Sequence, residues 1–323
     1  MKILITGGSG YLGSVIIRHL LNEFKECQIT VLDNLMYNQT SLLQYAYDSR
    51  FKFIYGDVRE VELLKKLVEE NEVIIPLAAI VGFPACDKDP KLAWDVNYRQ
   101  IENIIRWSAG KKILYPNTNS GYGIGVGQTE CTEESPLNPI SVYGESKCAA
   151  EKLLLEFTDS VVVRLATVFG CSQRMRMDLL VNEFVYKAMT DKYITVFEQH
   201  FKRNFIHIED VARVFIFLLK NFDTHKGEVF NIGLSDANLS KAELLDKIKE
   251  YIPNFAVTYS DFYQDPDKRD YIVSNKKIEK TGWQPIYNLD DGIKQLINSY
   301  KIVIPKASSE FRNGFPLGYA KSL

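Results

Sequence analysis

The chain has 323 residues, 46% of them hydrophobic, and 39 basic side chains stand against 41 acidic ones for a formal net charge of -2. That length supports one large or two closely associated domains around a substantial core, and the interspersed charges lack the basic stripe that nucleic acid or an anionic membrane surface would demand. Five scattered cysteines, Cys27, Cys86, Cys131, Cys148 and Cys171, form no C-x-x-C pair, so neither a disulfide framework nor a metal site is expected.

Met1 runs directly into residues 2–6, an apolar stretch that reads as a buried strand with no signal-peptide architecture ahead of it. No later apolar run reaches membrane length, and a cytoplasmic protein is expected. Gly7-Gly8-Ser9-Gly10-Tyr11-Leu12-Gly13 follows at once and contains G-x-G-x-x-G as Gly8, Gly10 and Gly13. Between a strand and the helical pattern of residues 11–24, such glycines allow a tight turn and bring backbone N–H groups up to a pyrophosphate at a helix N-terminus. The alternative is a glycine turn without a ligand. The next strand, residues 28–32, is followed by Asp33, 20 residues after Gly13. A carboxylate there accepts hydrogen bonds from an adenosine ribose and repels a 2′-phosphate, which favours NAD over NADP. By itself Asp33 would read as a cap or turn residue.

A third strand at 51–55 leads into Asp57 and Val58 before a helix at 61–70, and a fourth at 73–75 leads into Leu77-Ala78-Ala79. These positions lie outside the carboxyl ends of strands, where a doubly wound sheet meets its ligand, although Asp57 could equally cap the helix after it. Strands at 112–115 and 161–165 complete the rhythm. Between them, Tyr143-Gly144-Glu145-Ser146-Lys147 places a phenol and an ammonium four residues apart on one helical face. It is the only Y-x-x-x-K among eighteen tyrosines, a frequency that chance alone supplies. A nearby ammonium favours phenolate and would lower the tyrosine pKa toward that of a useful base.

Alternating strands and helices up to residue 170 give an α/β fold, a Rossmann doubly wound parallel sheet forming an NAD-binding domain over residues 1–170. Residues 171–323, with helices at 179–189, 208–220, 241–251 and 289–301, read as a smaller C-terminal α/β substrate-binding part interleaved with the first. The tail from Pro305, which carries Phe311, Phe315 and Tyr319, is expected to fray.

With these motifs in order, the sequence resembles the extended short-chain dehydrogenase/reductases of the nucleotide-sugar epimerase and dehydratase family. Matching blocks beyond the glycines and the Tyr143/Lys147 pair are Val31-Leu32-Asp33-Asn34, Leu77-Ala78-Ala79, Asp95-Val96-Asn97, Arg164 to Gly170, and Arg203 to Val211. The resemblance covers nearly the whole chain. It implies NAD held by Gly7, Gly10, Tyr11, Leu12, Gly13, Asp33, Asn34, Asp57, Val58, Leu77, Ala78, Ala79 and Asn97, together with Tyr143 and Lys147. It implies Tyr143 as the base, Lys147 as its tuning partner on the nicotinamide ribose, and Thr118, four places before Tyr122, as a partner of the reacting sugar hydroxyl. Arg203 and Arg269 fall where similar enzymes hold a diphosphate, and Ser120, Thr167 and Asn182 are further substrate candidates.

Two positions depart from the family pattern. Pro76 stands where a histidine is common, which puts in doubt any contact made from there. Asn119 and Ser120 occupy positions where sugar 4,6-dehydratases usually carry acids. Elimination needs a base for the carbon 5 proton and an acid for the departing hydroxyl, and neither side chain supplies one.

The strings Pro116 to Gly123 and Asp265 to Asn275 resemble bacterial GDP-heptose 4-dehydrogenases of capsule biosynthesis. That resemblance implies oxidation at carbon 4 of a nucleoside-diphosphate sugar such as GDP-manno-heptose, with a 2-oxo acid as co-oxidant. A homodimer through the segment beginning at Pro90 and the helix bearing Tyr143, or a homotetramer, is implied as well. A nucleotide-sugar 4-epimerase is the first alternative, and a non-catalytic dinucleotide sensor the second.

Overall fold

The computed structural model describes residues 1–124, 130–260 and 269–303. Its central sheet contains β1 (Lys2–Thr6), β2 (Gln28–Asp33), β3 (Phe51–Tyr55), β4 (Val73–Pro76) and β5 (Lys112–Thr118). Beyond β6 (Glu130–Cys131), the sheet also takes in β7 (Val161–Leu165). After β8 (Thr167–Phe169), β9 (Tyr193–Phe197) and β10 (Lys202–His207), it closes with β11 (Val229–Ile232). The order is β11-β7-β5-β4-β1-β2-β3, and every neighbouring pair runs parallel. The chain therefore turns outward in both directions from the β1/β4 boundary, and that switch point opens a crevice beyond the carboxyl edge.

Parallel strands buried on both faces need nearly continuous apolar sequence, and β1, β4 and β7 supply it. Their side chains divide by parity: Ile3, Ile5, Val31 and Ile75 enter one core, whereas Leu4, Leu32, Ile74 and Tyr115 enter the other. The first core lies beneath α1 (Tyr11–Glu23), onto which a late helix, Ile208–Lys220, packs. Glu209 of that helix reaches back to Arg18 and to His19, at 2.8 Å from His19. The second core lies beneath α2 (Val61–Glu70) and a run made of α3 (Phe83–Lys88), α4 (Pro90–Trp94), a π turn at Asp95–Arg99 and α5 (Gln100–Trp107). It is completed by α6 (Val142–Phe157), whose N-cap Ser141 accepts from Gly144 N–H at 3.2 Å.

Past residue 170 come α7 (Leu180–Thr190), α8 (Ile208–Lys220, the helix on α1), α9 (Phe222–His225) and α10 (Lys241–Tyr251). A capping box in which Ser240 and Glu243 satisfy each other's backbone starts α10. Small sheets join β10 to β8 and to the strand Asn238–Ser240, β9 to Ala256–Ser260, and β6 to Ile272–Val273. The strand at 229–232, which the periodicity does not announce, returns to the main sheet beside β7. Three strands also run further than expected, so that Asp33, Pro76 and Thr118 are themselves the last residues of β2, β4 and β5. The tail from Pro305 lies outside the described residues.

Candidate active site

A cleft of about 680 Å³ runs along the carboxyl edge of the sheet and continues between the two parts of the chain. Its first wall is the glycine turn. Gly7 adopts φ +67°, and a Cβ there would sit 2.6 Å from the Ala78 backbone. A Cβ on Gly13 would meet the Gly8 Cα at 2.6 Å. The turn is thus packed so closely on the backbone after β4 and on itself that only glycine fits, and Gly10, Tyr11, Leu12 and Gly13 at the start of α1 line the cleft.

Asp33 stands beside it, buried, accepting from Ser9 N–H at 2.9 Å and Leu35 N–H at 2.8 Å, with Gln39 Nε2 at 3.3 Å. Burial pushes its carboxyl up, and those backbone donors oppose the push. A carboxylate has about four acceptor positions, so its Oδ2 retains capacity for a ribose hydroxyl. Asp57 is gripped by Arg59 through two 2.9 Å bonds and by Asn34 Nδ2 at 3.0 Å, which hold its carboxyl down at about 2. The N-cap of α2 is Glu60, so Asp57 does not cap that helix. Gly10, Tyr11, Leu12, Val58, Leu77, Ala78 and Ala79 all line this half of the cleft. The residues fit a dinucleotide: a glycine cradle that a Cβ would fill, a helix N-terminus and a ribose-side carboxylate converge on one trough.

Asn97 was expected there and lies elsewhere. Its side chain is buried, accepting from Ile80 N–H at 2.8 Å and donating to Ile80 O and Ser146 Oγ, both at 3.1 Å. It ties the loop after β4 to α6 and so positions cleft walls without lining the cleft. Asn182 is likewise consumed by backbone. Its Oδ1 accepts from Gly170 N–H at 3.1 Å, and its Nδ2 donates to Arg176 O at 2.7 Å.

Thr118, Tyr143 and Lys147 all line the cleft. The Thr118 hydroxyl donates to Ser120 Oγ at 2.9 Å and accepts from Ser120 N–H at 3.1 Å. Lys147 Nζ lies 4.0 Å from the centroid of the Tyr115 ring, a cation–π contact in a dry pocket. The expected electrostatics need correction. Burial pushes the Tyr143 phenol up to about 12, and the opposing cations are Arg269 and Arg176. Burial also drives Lys147 down to about 7, which weakens its hold on a phenolate. Desolvation leads for both groups, and neither figures among the causes of the other's shift.

The far wall carries Thr167, Arg203 and Arg269; Lys241, Arg174, Arg176 and Tyr271 also line the cleft, and sequence reading assigned none of these four to the site. Arg203 packs against Tyr271 at 5.7 Å, and Arg269 donates to Ser120 Oγ. Asn119 turns away from the cleft into the interior at 1% exposure, and neither of its side-chain polar atoms has a partner among the described residues. No carboxylate therefore extends into the cleft from either position after Thr118.

Such a trough beside a tyrosine–lysine pair on a doubly wound sheet defines a dinucleotide-dependent enzyme of the Rossmann class. A family model described as the NAD dependent epimerase/dehydratase family matches residues 3–233, and the chain belongs to that family. It is 28% identical over 313 residues to the low-salt glycan biosynthesis protein Agl12 of Haloferax volcanii, covering 93% of this chain and 98% of that one. It is 27% identical over 323 residues to dTDP-D-glucose 4,6-dehydratase of Mus musculus, with 93% and 88% coverage. Among solved structures, UDP-glucuronic acid 4-epimerase from Bacillus cereus, in complex with UDP-glucuronic acid and NAD, superposes with a TM-score of 0.82 at 25% identity. The superposition covers 94% of this chain and 100% of that one. Among the described residues no helix is long and apolar enough to cross a membrane.

Proposed function

We propose that the protein oxidises the carbon 4 hydroxyl of a nucleoside-diphosphate sugar to a ketone and releases it. The observation that carries this reading is the cleft lining, which Thr118, Tyr143 and Lys147 share while the two positions after Thr118 offer an interior amide and a hydroxyl in place of acids. Bound NAD supplies the hydride acceptor. Thr118 orients the sugar hydroxyl, and Tyr143 receives its proton. Lys147 holds the nicotinamide ribose and, when protonated, favours the phenolate. Arg203 and Arg269 grip the diphosphate, to which their forked guanidinium groups are suited. Residues 1–170 hold mainly the cofactor, and the remainder mainly the substrate.

The sugar we favour is GDP-manno-heptose, in surface polysaccharide synthesis, from the strings Pro116 to Gly123 and Asp265 to Asn275. A 2-oxo acid would then reoxidise the cofactor. The second reading, a 4-epimerase, is favoured by the named activity of the Bacillus cereus neighbour. Mass spectrometry of the product decides. A sugar lighter by two hydrogens, formed continuously only with a 2-oxo acid present, supports oxidation, whereas an epimer of unchanged mass formed without an oxidant replaces it with epimerisation. Loss of one water would overturn both, and absence of any turnover would leave a dinucleotide sensor.

A further inference from the structure

The segment between Gly170 and α7 crosses from the end of β8 to the cofactor trough. Ser172 Oγ donates to Tyr11 O at 2.8 Å and meets Ser14 Oγ at 2.8 Å, which pins the segment to the first turn of α1. Two residues on, Arg174 N–H bonds back to that same Ser172 hydroxyl at 3.2 Å. The Arg174 side chain lines the cleft at 5% exposure, its guanidinium 4.8 Å from the centroid of the Tyr37 ring on the loop after β2. One guanidinium nitrogen, Nη1, donates to Met175 O at 3.1 Å. The other, Nη2, is buried without a hydrogen-bond partner among the described residues.

An arginine cannot discard its charge, so a buried guanidinium with an idle donor calls for an anion. Neither nearby acid satisfies that donor: Asp33 accepts from Ser9, Leu35 and Gln39, Asp178 is held by Arg176 through a 2.7 Å ion pair, and Arg174 Nη2 bonds neither carboxylate. What lies open beside Arg174 is the trough above the N-terminus of α1, where backbone dipoles already favour a negative group.

We infer that Arg174 is a cofactor-binding residue, contributed by the later part of the chain, that closes over the dinucleotide and donates to its pyrophosphate. The inference rests on the trough being a dinucleotide site. The Tyr37 ring seats the guanidinium, so one arginine joins the loop after β2 and the segment after β8 across the bound cofactor. The pyrophosphate, rather than a 2′-phosphate beside Asp33, is the group assigned, because Ser172 fixes the base of the segment at α1.

Measuring NAD and NADP affinity by calorimetry on wild type, Arg174→Met and Asp33→Ser/Arg174→Met tests this. Loss of one charge-assisted bond should weaken NAD binding by about 10- to 100-fold in Arg174→Met, with an unchanged melting temperature for the cofactor-free protein. Arg174→Lys should recover part of that loss. Wild-type NAD affinity in Arg174→Met would overturn the inference. So would an NAD defect confined to variants that also melt early, or a selective loss of NADP binding in the Asp33→Ser background, which would move Arg174 to the 2′-phosphate. Failure of the wild type to bind either dinucleotide would instead remove the trough as a cofactor site.

Discussion

The Glu151 carboxylate and the Arg164 guanidinium form a buried ion pair, 2.6 Å apart, that joins α6 to β7 one helical turn beyond Lys147, on the face of α6 that also bears Tyr143. Asn117 donates to the same carboxylate, and Arg164 reaches Tyr122 Oη and Glu133 O, each at 3.0 Å. Removing one partner strands the other charge in a dry interior. Arg164→Met should therefore cost about 3–5 kcal/mol in urea unfolding, with the double change Glu151→Gln/Arg164→Met less harmful than the sum of the single ones. A loss under about 1 kcal/mol would mean that water reaches the pair.

Tyr143→Phe keeps the ring in the cleft lining and removes the phenolic oxygen proposed to receive the proton. Turnover should fall by about two to four orders of magnitude, the range for loss of a general base, while NAD affinity stays within about threefold. Near-normal turnover would transfer the proton to another group.

Asp33→Ser should relax the preference for NAD by removing a carboxylate that repels a 2′-phosphate. The serine also leaves Ser9 and Leu35 N–H with a weaker acceptor. Competition binding of NAD and NADP gives the measurement, and an unchanged ratio would remove Asp33 from the ribose site.

Lys147 gives a pH dependence whose sign can be worked out. Its ammonium, facing the Tyr115 ring, Cys148 and Glu151, titrates near 7 when folded without ligand, well below an ordinary lysine. From about pH 7 up to the ordinary lysine range near 10.4 the unfolded chain binds more protons at this residue. Its contribution to stability therefore rises with pH across that window. Tyr143 acts in the opposite sense above about pH 10, because its folded phenol stays protonated up to about 12 while the unfolded one does not. Denaturation of cofactor-free protein between pH 7 and 10 should show a rise that Lys147→Met removes; equal slopes for the two proteins would mean that Lys147 is solvated.

Much of this architecture can be read from the chain because its signals are local. Strands β1, β3 and β7 begin and end where their apolar runs do, and the glycine turn with Asp33 marks the cofactor trough before any coordinate is known. What escapes reading depends on the third dimension. Val229–Ile232 is only four residues, a length at which an apolar run is as compatible with a helix as with a strand. Asn97 and Asn182 stand in conspicuous strings, yet their amides are absorbed by Ile80, Ser146, Gly170 and Arg176, because a buried backbone group is a more insistent partner than a ligand. Arg174, Arg176 and Lys241 resemble solvated charges until the fold folds them inward. The phenol–ammonium pair was legible, but its titration was not, since sequence spacing reports proximity and says nothing of lost water.

The place of β11 bears on how the molecule comes into being on the ribosome. When residue 170 has emerged, β7 has β5 on one side and nothing on the other, and α1 still lacks α8 as its cover. Almost sixty further residues must be synthesised before Val229 can dock. Throughout that interval an apolar strand edge, a ready template for misplaced pairing, stands open to solvent or to a chaperone. The nascent first half is thus committed to waiting for the second, and a stop codon at residue 170 would release an aggregation-prone fragment rather than a free-standing cofactor domain.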